Sequence, residues 1–79
     1  MYTQVFTMGE FKYEITEHIA TLSDTNGMTK ELNRISFNGG PAKLDLRSWK
    51  QEGDTKKMLK GITLSDAEAA ALKDALDRL

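Results

Sequence analysis

Apolar and polar residues alternate from Phe11 onward, with Phe11, Tyr13 and Ile15 set against Lys12, Glu14 and Thr16. Strand side chains leave alternately to the two faces of a sheet, so this period of two predicts a half-buried strand. The next apolar pair, Ala20 and Leu22, has the opposite parity. A bulge between Glu17 and Ile19 re-phases the pattern and bends the chain, so one long curved strand is expected rather than two. His18 falls at that bulge and reads as an exposed or locally bonded histidine. Residues 1 to 10 have no clean period and are left unassigned as an N-terminal extension; the domain proper is residues 11 to 79.

Asp24-Thr25-Asn26-Gly27 turns the chain back, since Asn and Gly both tolerate positive φ. The second strand, Lys30 to Asn38, puts Ile35 and Phe37 on one face and Arg34, Ser36 and Asn38 on the other, with Leu32 out of phase near its start. Asn38-Gly39-Gly40-Pro41 is the next turn, and pairing resumes only after Pro41, which has no N–H to donate. The third strand, Lys43 to about Lys50, sends Leu44 and Leu46 one way and Lys43, Asp45, Arg47 and Trp49 the other. This predicts a leucine core face and a cationic, aromatic display face. After the polar loop 51–55, Lys56 to Thr63 reads as a fourth strand with Met58, Ile62 and the following Leu64 on one side. Gly61 within it marks a bulge or a close backbone contact. Ser65-Asp66-Ala67-Glu68 is a capping box that opens a helix, along which Ala69, Leu72, Leu76 and Leu79 form one apolar stripe. The fold class is therefore α+β: a four-stranded curved antiparallel meander followed by one C-terminal helix.

With 79 residues the chain makes one domain, and a single thin layer of sheet and helix at this size gains from burying more surface in an oligomer, so a dimer is expected. The absence of cysteine removes disulfides, thiolate catalysis and the usual zinc ligands, and suits a reducing, cytoplasmic compartment. No run approaches the length of a membrane span, and residues 1 to 10 lack the pattern of a signal peptide. One histidine, no metal-ligand spacing and no glycine-rich loop before a helix argue against an enzyme, a cofactor, a metal or a small-molecule substrate.

Net charge is −1, but its distribution is uneven. Residues 30 to 62 carry eight bases and four acids, a local +4, while residues 1 to 29 and 63 to 79 are acidic. The middle strands thus offer Arg34 and Ser36, then Lys43, Arg47 and Trp49, then Lys57 and Lys60. Cations follow a phosphate backbone and an aromatic ring stacks an unpaired base, the chemistry of single-strand binding. The same residues also fit a structural reading, in which Trp49 packs over the sheet edge and the lysines keep an edge strand soluble.

Three blocks carry a family resemblance: Lys30-Glu31-Leu32-Asn33-Arg34-Ile35-Ser36-Phe37, Leu44-Asp45-Leu46-Arg47-Ser48-Trp49, and Lys60-Gly61-Ile62-Thr63-Leu64 leading into the helix. In this order and spacing, over Lys30 to about Leu76, the chain resembles the single-stranded-DNA-binding domain of the transcriptional coactivator family of positive cofactor four, and particularly its short bacterial YdbC-like members. The resemblance implies a homodimer formed through the helices, with single-stranded nucleic acid laid across curved sheets. It makes Arg47 and Lys60 phosphate-contacting candidates and Trp49 a stacking candidate, and Lys30 joins the candidate interface at the head of the first block. Two features depart from the family. The long basic hairpin of eukaryotic members is here the short, uncharged Asn38-Gly39-Gly40-Pro41, and the serine-rich acidic region is missing. The expected function is binding of single-stranded DNA, with RNA as the alternative ligand, with little sequence preference, in transcription regulation or DNA replication and repair. The competing reading is a protein-interaction module of the same fold.

Overall fold

The computed structural model describes the backbone of residues 4–8 and 11–79, and side chains from Lys12 onward. Strands β1 (Gln4–Met8), β2 (Phe11–Thr25), β3 (Met28–Phe37), β4 (Lys43–Glu52) and β5 (Thr55–Leu64) form one antiparallel sheet in chain order, and helix α1 (Asp66–Asp77) follows. The four strands expected from the alternation are β2 to β5. The unassigned extension adds β1, paired with β2 from Gln4↔Ile15 to Met8↔Phe11, so the meander has five strands instead of four. Residues 1–3, 9 and 10 of that extension lie outside the described residues.

The long curved strand is β2, and its bend is built in three places. Fifteen residues at about 3.3 Å each would run roughly 46 Å if straight, whereas the longest dimension of the molecule is 39 Å. Its register against β3 slips between Ile15 and Glu17, between His18 and Ala20, and between Thr21 and Ser23. Each extra residue on one strand bends it and raises its twist. The turns are as tight as their sequences suggest. Asn26 and Gly27 have φ of 54° and 78°, the two positive values that a two-residue hairpin turn requires, and Asn38 and Gly39 follow suit at 51° and 75°. Pairing of β3 with β4 begins at Ile35↔Lys43, beyond Pro41.

These bends roll the sheet onto one face. Tyr13 pairs with Phe37 and Trp49 with Thr29, positions eight residues apart on β3, or about 26 Å along a straight strand. Their ring centroids nevertheless lie 5.8 Å apart. The core closes inside the roll, made of Tyr13, Ile15, Ile35 and Trp49 with Phe37 and Met58 packed against it. This corrects the expected division of β4: the row with Asp45 and Trp49 is the buried interior, each at 0% exposure, and Leu44 and Leu46 on the outer face are only half-buried. Alternation assigns residues to faces, but curvature decides which face is sealed.

One further position differs from the pattern for the same kind of reason. The β4–β5 register shifts between Arg47↔Gly61 and Trp49↔Met58, so Met58 turns inward while Ile62 and Leu64, opposite Leu46 and Leu44, stay outside. Leu32 is out of phase with Ile35 and Phe37, as expected; it pairs with Leu46 on the outer face, and Leu32 and Leu44 line an apolar groove with Ala69, Leu72 and Leu76 of α1. The helix starts where the capping box places it, with Ser65 Oγ accepting from the Glu68 N–H at 3.1 Å and Glu68 Oε1 accepting from the Ser65 N–H at 2.8 Å. No residue of α1 is fully buried, and Leu76 and Leu79 are 55% and 99% exposed. No helix among the described residues is long and apolar enough to cross a membrane.

Candidate nucleic-acid interface

Residues directly opposite one another in an antiparallel pair share a face. Thr29–Trp49, Glu31–Arg47, Asn33–Asp45 and Ile35–Lys43 therefore belong to the inner face, and Met28–Lys50, Lys30–Ser48, Leu32–Leu46 and Arg34–Leu44 to the outer one. The eight candidate residues accordingly do not form the single surface expected of them. Lys43, Arg47 and Trp49 are inner. Lys30, Arg34 and Ser36 are outer, as is Lys57, which faces Lys50. Lys60 is exposed beside Gly61, next to the register shift.

They also separate along the strands. Arg34, Ser36 and Lys43 lie toward the 38–42 connection, where the first two are occupied: Arg34 Nε is 3.5 Å from Glu17 Oε1 and the Ser36 hydroxyl donates to the Gly40 carbonyl at 2.5 Å, while Lys43 is exposed. Lys30, Trp49 and Lys57 lie toward the other end, where the Asn26-Gly27 and Gly53-Asp54 turns stand, with Arg47 and Lys60 at the middle of their strands.

Arg47 and Trp49 are built into the interior. Arg47 donates from Nε and Nη2 to both oxygens of buried Asp45, each at 2.9 Å, and from Nη1 to the Leu59 carbonyl at 3.0 Å. Thr63 adds a donor to the same carboxylate at 3.0 Å. This bidentate pairing uses the planar fork of the guanidinium fully. Gly61 makes room for it: a Cβ there would stand 2.5 Å from Arg47 Cβ and 2.5 Å from the Leu46 carbonyl oxygen. Trp49 is sealed by Tyr13 on one side and by the Lys56 ammonium, 5.1 Å from the ring centroid.

Lys56 is itself tied down. Its Nζ donates to Glu31 Oε1 at 2.7 Å, and Glu31 also accepts from Thr29 at 2.5 Å and from Asn33 at 3.3 Å, with His18 Nδ1 at 3.5 Å. Burial disfavours the Glu31 carboxylate, but the hydrogen bonds from Lys56, Thr29 and Asn33 and the charge of Lys56 outweigh it and hold the carboxyl below its usual range. Gly27, Thr29, Glu31, Trp49, Gln51, Asp54 and Lys56 line a cleft of about 270 Å³ at this place.

Outside the roll, the same end carries exposed lysines. Among the described residues Lys30, Lys50, Lys57 and Lys60 make no ion pair. Lys50 and Lys57 are directly opposed, a like-charge pair that works against the sheet. Lys50 and Lys56 were absent from the sequence-based interface. Lys50 was missed because β4 runs on to Glu52 instead of stopping near it, and Lys56 because its partner on β3 is distant in sequence; its proximity to Trp49 depends on the β4–β5 register.

Two comparisons bear on what this arrangement serves. The family described as Transcriptional Coactivator p15 (PC4) matches residues 25–75, which run from the turn before β3 almost to the end of α1. A protein of Treponema pallidum (strain Nichols), described as an uncharacterized protein, is 46% identical over 71 residues, covering 89% of this chain and 81% of that protein.

Proposed function

Because the chain belongs to the Transcriptional Coactivator p15 (PC4) family, whose domains are non-enzymatic and bind nucleic acid, we propose that it binds single-stranded DNA, or RNA, at the end of the sheet where Lys30, Lys50, Lys57 and Lys60 meet the Trp49 cleft. The observation that carries this reading is the group of four exposed, unpaired lysines with Lys50 and Lys57 set against each other. A phosphodiester backbone relieves that repulsion, and each contact releases condensed counterions. A base that turns over the sheet end at the 26–27 and 53–54 turns, from the outer lysines into the inner cleft, approaches Trp49, and stacking depends little on which base it is. Duplex DNA offers the backbone but keeps its base faces inside the stack.

The interface differs from the expected one in membership. Lys30, Trp49, Lys57 and Lys60 stay, Lys50 and Lys56 join, and Arg47 holds the β4–β5 register through Asp45 and Leu59. Arg34, Ser36 and Lys43 stand at the opposite end of the strands, and only a strand crossing the whole sheet reaches them.

The working unit in this proposal is a homodimer. The groove between α1 and the outer sheet face is apolar, and Ile62, Leu76 and Leu79 are 54%, 55% and 99% exposed. A second copy applying the same stripe covers these side chains, a self-complementary contact of the kind two-fold dimers use.

The test is a titration of labelled oligothymidine and of a duplex of equal length at several salt concentrations. Phosphate contacts from the four exposed lysines predict a slope of log affinity against log salt of roughly −3 or steeper for the single strand, and Lys57→Ala with Lys60→Ala lowers its magnitude by about 1.4. Equal affinity for both forms, with slopes unmoved by these substitutions, contradicts the proposal.

A further inference from the structure

Trp49 is the sole tryptophan of the chain and is 0% exposed, so in the free protein its ring is not open to a base. Two observations locate what keeps it closed. The Lys56 ammonium stands over the ring, with a side chain 17% exposed, and it is anchored there by Glu31 at 2.7 Å. Trp49 Nε1 is buried and has no hydrogen-bond partner, and Trp49 and Lys56 both line the 270 Å³ cleft. Buried donors are normally paired, and an exception calls for a partner that arrives from elsewhere.

Resting on the single-strand reading above, we propose that Lys56 is a latch over Trp49 that a single strand opens, the ammonium moving from Glu31 to a phosphate while a base takes its place against the indole. The chemistry at each position fits the exchange. The Lys56 side chain has a flexible four-carbon stem whose charge reaches solvent by rotation, and it leaves toward Lys57 and the exposed lysines, where the backbone lies. Glu31 keeps its hydrogen bonds from Thr29 and Asn33, so it is not left bare when Lys56 departs. A neighbouring base edge, or a sugar or phosphate oxygen, lying in the plane of the indole supplies the acceptor that Trp49 Nε1 lacks. Binding thus contains an opening step whose unfavourable equilibrium lowers the apparent affinity, and Glu31 sets that equilibrium without touching the nucleic acid.

Trp49 emission reports the latch with and without ligand. Free protein is quenched with acrylamide and then titrated with fluorescently end-labelled oligothymidine, following label anisotropy and Trp49 emission together, for the wild type, Glu31→Gln and Lys56→Ala. The latch predicts a shielded Trp49 in the free wild type and a change in its emission on binding. Glu31→Gln, which releases the ammonium but keeps it, raises acrylamide access and tightens binding by about threefold or more. Lys56→Ala raises acrylamide access and lowers the magnitude of the salt slope by about 0.7, because the lysine contacts phosphate only when bound. Should Glu31→Gln fail to fold, Lys56→Ala decides through access and slope. Trp49 remaining as shielded in the folded variants as in the wild type overturns the latch. So does wild-type binding seen by anisotropy with Trp49 emission unmoved, a result that leaves the single-strand reading standing. A wild type that binds no oligothymidine overturns both.

Discussion

Trp49→Ala separates a tryptophan that waits on a surface from one that holds the fold together. The indole is completely buried, against Tyr13 on one side and Lys56 on the other. A tryptophan buries up to about 250 Å², which at 25 cal/mol per Å² corresponds to at most roughly 6 kcal/mol. Part of that is offset because the buried Nε1–H has no partner, a penalty of about 1 to 3 kcal/mol that the substitution removes. The alanine retains some apolar contact, so the net loss is about 3 kcal/mol, at the lower end for large-to-small changes at buried aromatics. A chain of 79 residues has a total stability of about 4 to 12 kcal/mol. The variant is therefore marginal, and loss of nucleic-acid binding in it reports unfolding as readily as a lost stack. Urea unfolding followed by far-ultraviolet circular dichroism measures the difference directly. A midpoint displaced by less than the equivalent of about 1 kcal/mol refutes the burial argument and returns Trp49 to the role of a displayed ring.

Gly61→Ala should destabilise the domain by about 1 to 3 kcal/mol or more, since the added methyl meets the backbone of Leu46 and Arg47 and not a flexible side-chain end; thermal unfolding gives the value. Arg47→Ala leaves Asp45 buried without its bidentate partner and should cost about 3 to 5 kcal/mol, whereas a loss under 1 kcal/mol with a large loss of binding would make Arg47 a ligand contact instead. Glu31 has a lowered folded pKa, so its stabilisation is present above the unfolded value of 4.5 and disappears as pH falls through the lower folded value. Stability measured against pH should show that acid limb in the wild type, and a shallower limb in Glu31→Gln. Sedimentation at micromolar concentration should find a dimer, and Leu76→Lys should yield monomer; a well-folded wild-type monomer contradicts the proposed seam.

Much of the fold is legible in local chemistry. Asn26-Gly27, Asn38-Gly39 and the Ser65–Glu68 box each dictate a backbone geometry from their own residues, and the change of parity between Ile15 and Ala20 announces the bulges of β2. Gly61 likewise reads correctly as a close contact. The inner and outer faces are separable on β4 but not consistently across strands, because the register shift between Met58 and Gly61 reverses which parity points inward. Nor does a period of two carry the curvature that brings Tyr13 against Trp49 and seals Asp45 inside. A polar row reads as a surface until its partners are known: here Thr63 and Leu59 for the Asp45–Arg47 pair, and Thr29, Asn33 and Lys56 for Glu31. The candidate site suffered most, because its membership depends on which strands face which.

The central claim is that single-stranded nucleic acid binds at the end of the sheet marked by Lys30, Lys50, Lys57, Lys60 and the Trp49 cleft. The most direct measurement is a map of backbone amide shifts, residue by residue, as unlabelled oligothymidine is added to isotope-labelled protein. The account predicts that the largest changes fall within 27–31, 47–51 and 55–61, together with the Trp49 indole N–H resonance, while 65–79 moves little. Changes confined to α1, or to the 38–43 connection with the Trp49 indole unmoved, would contradict it.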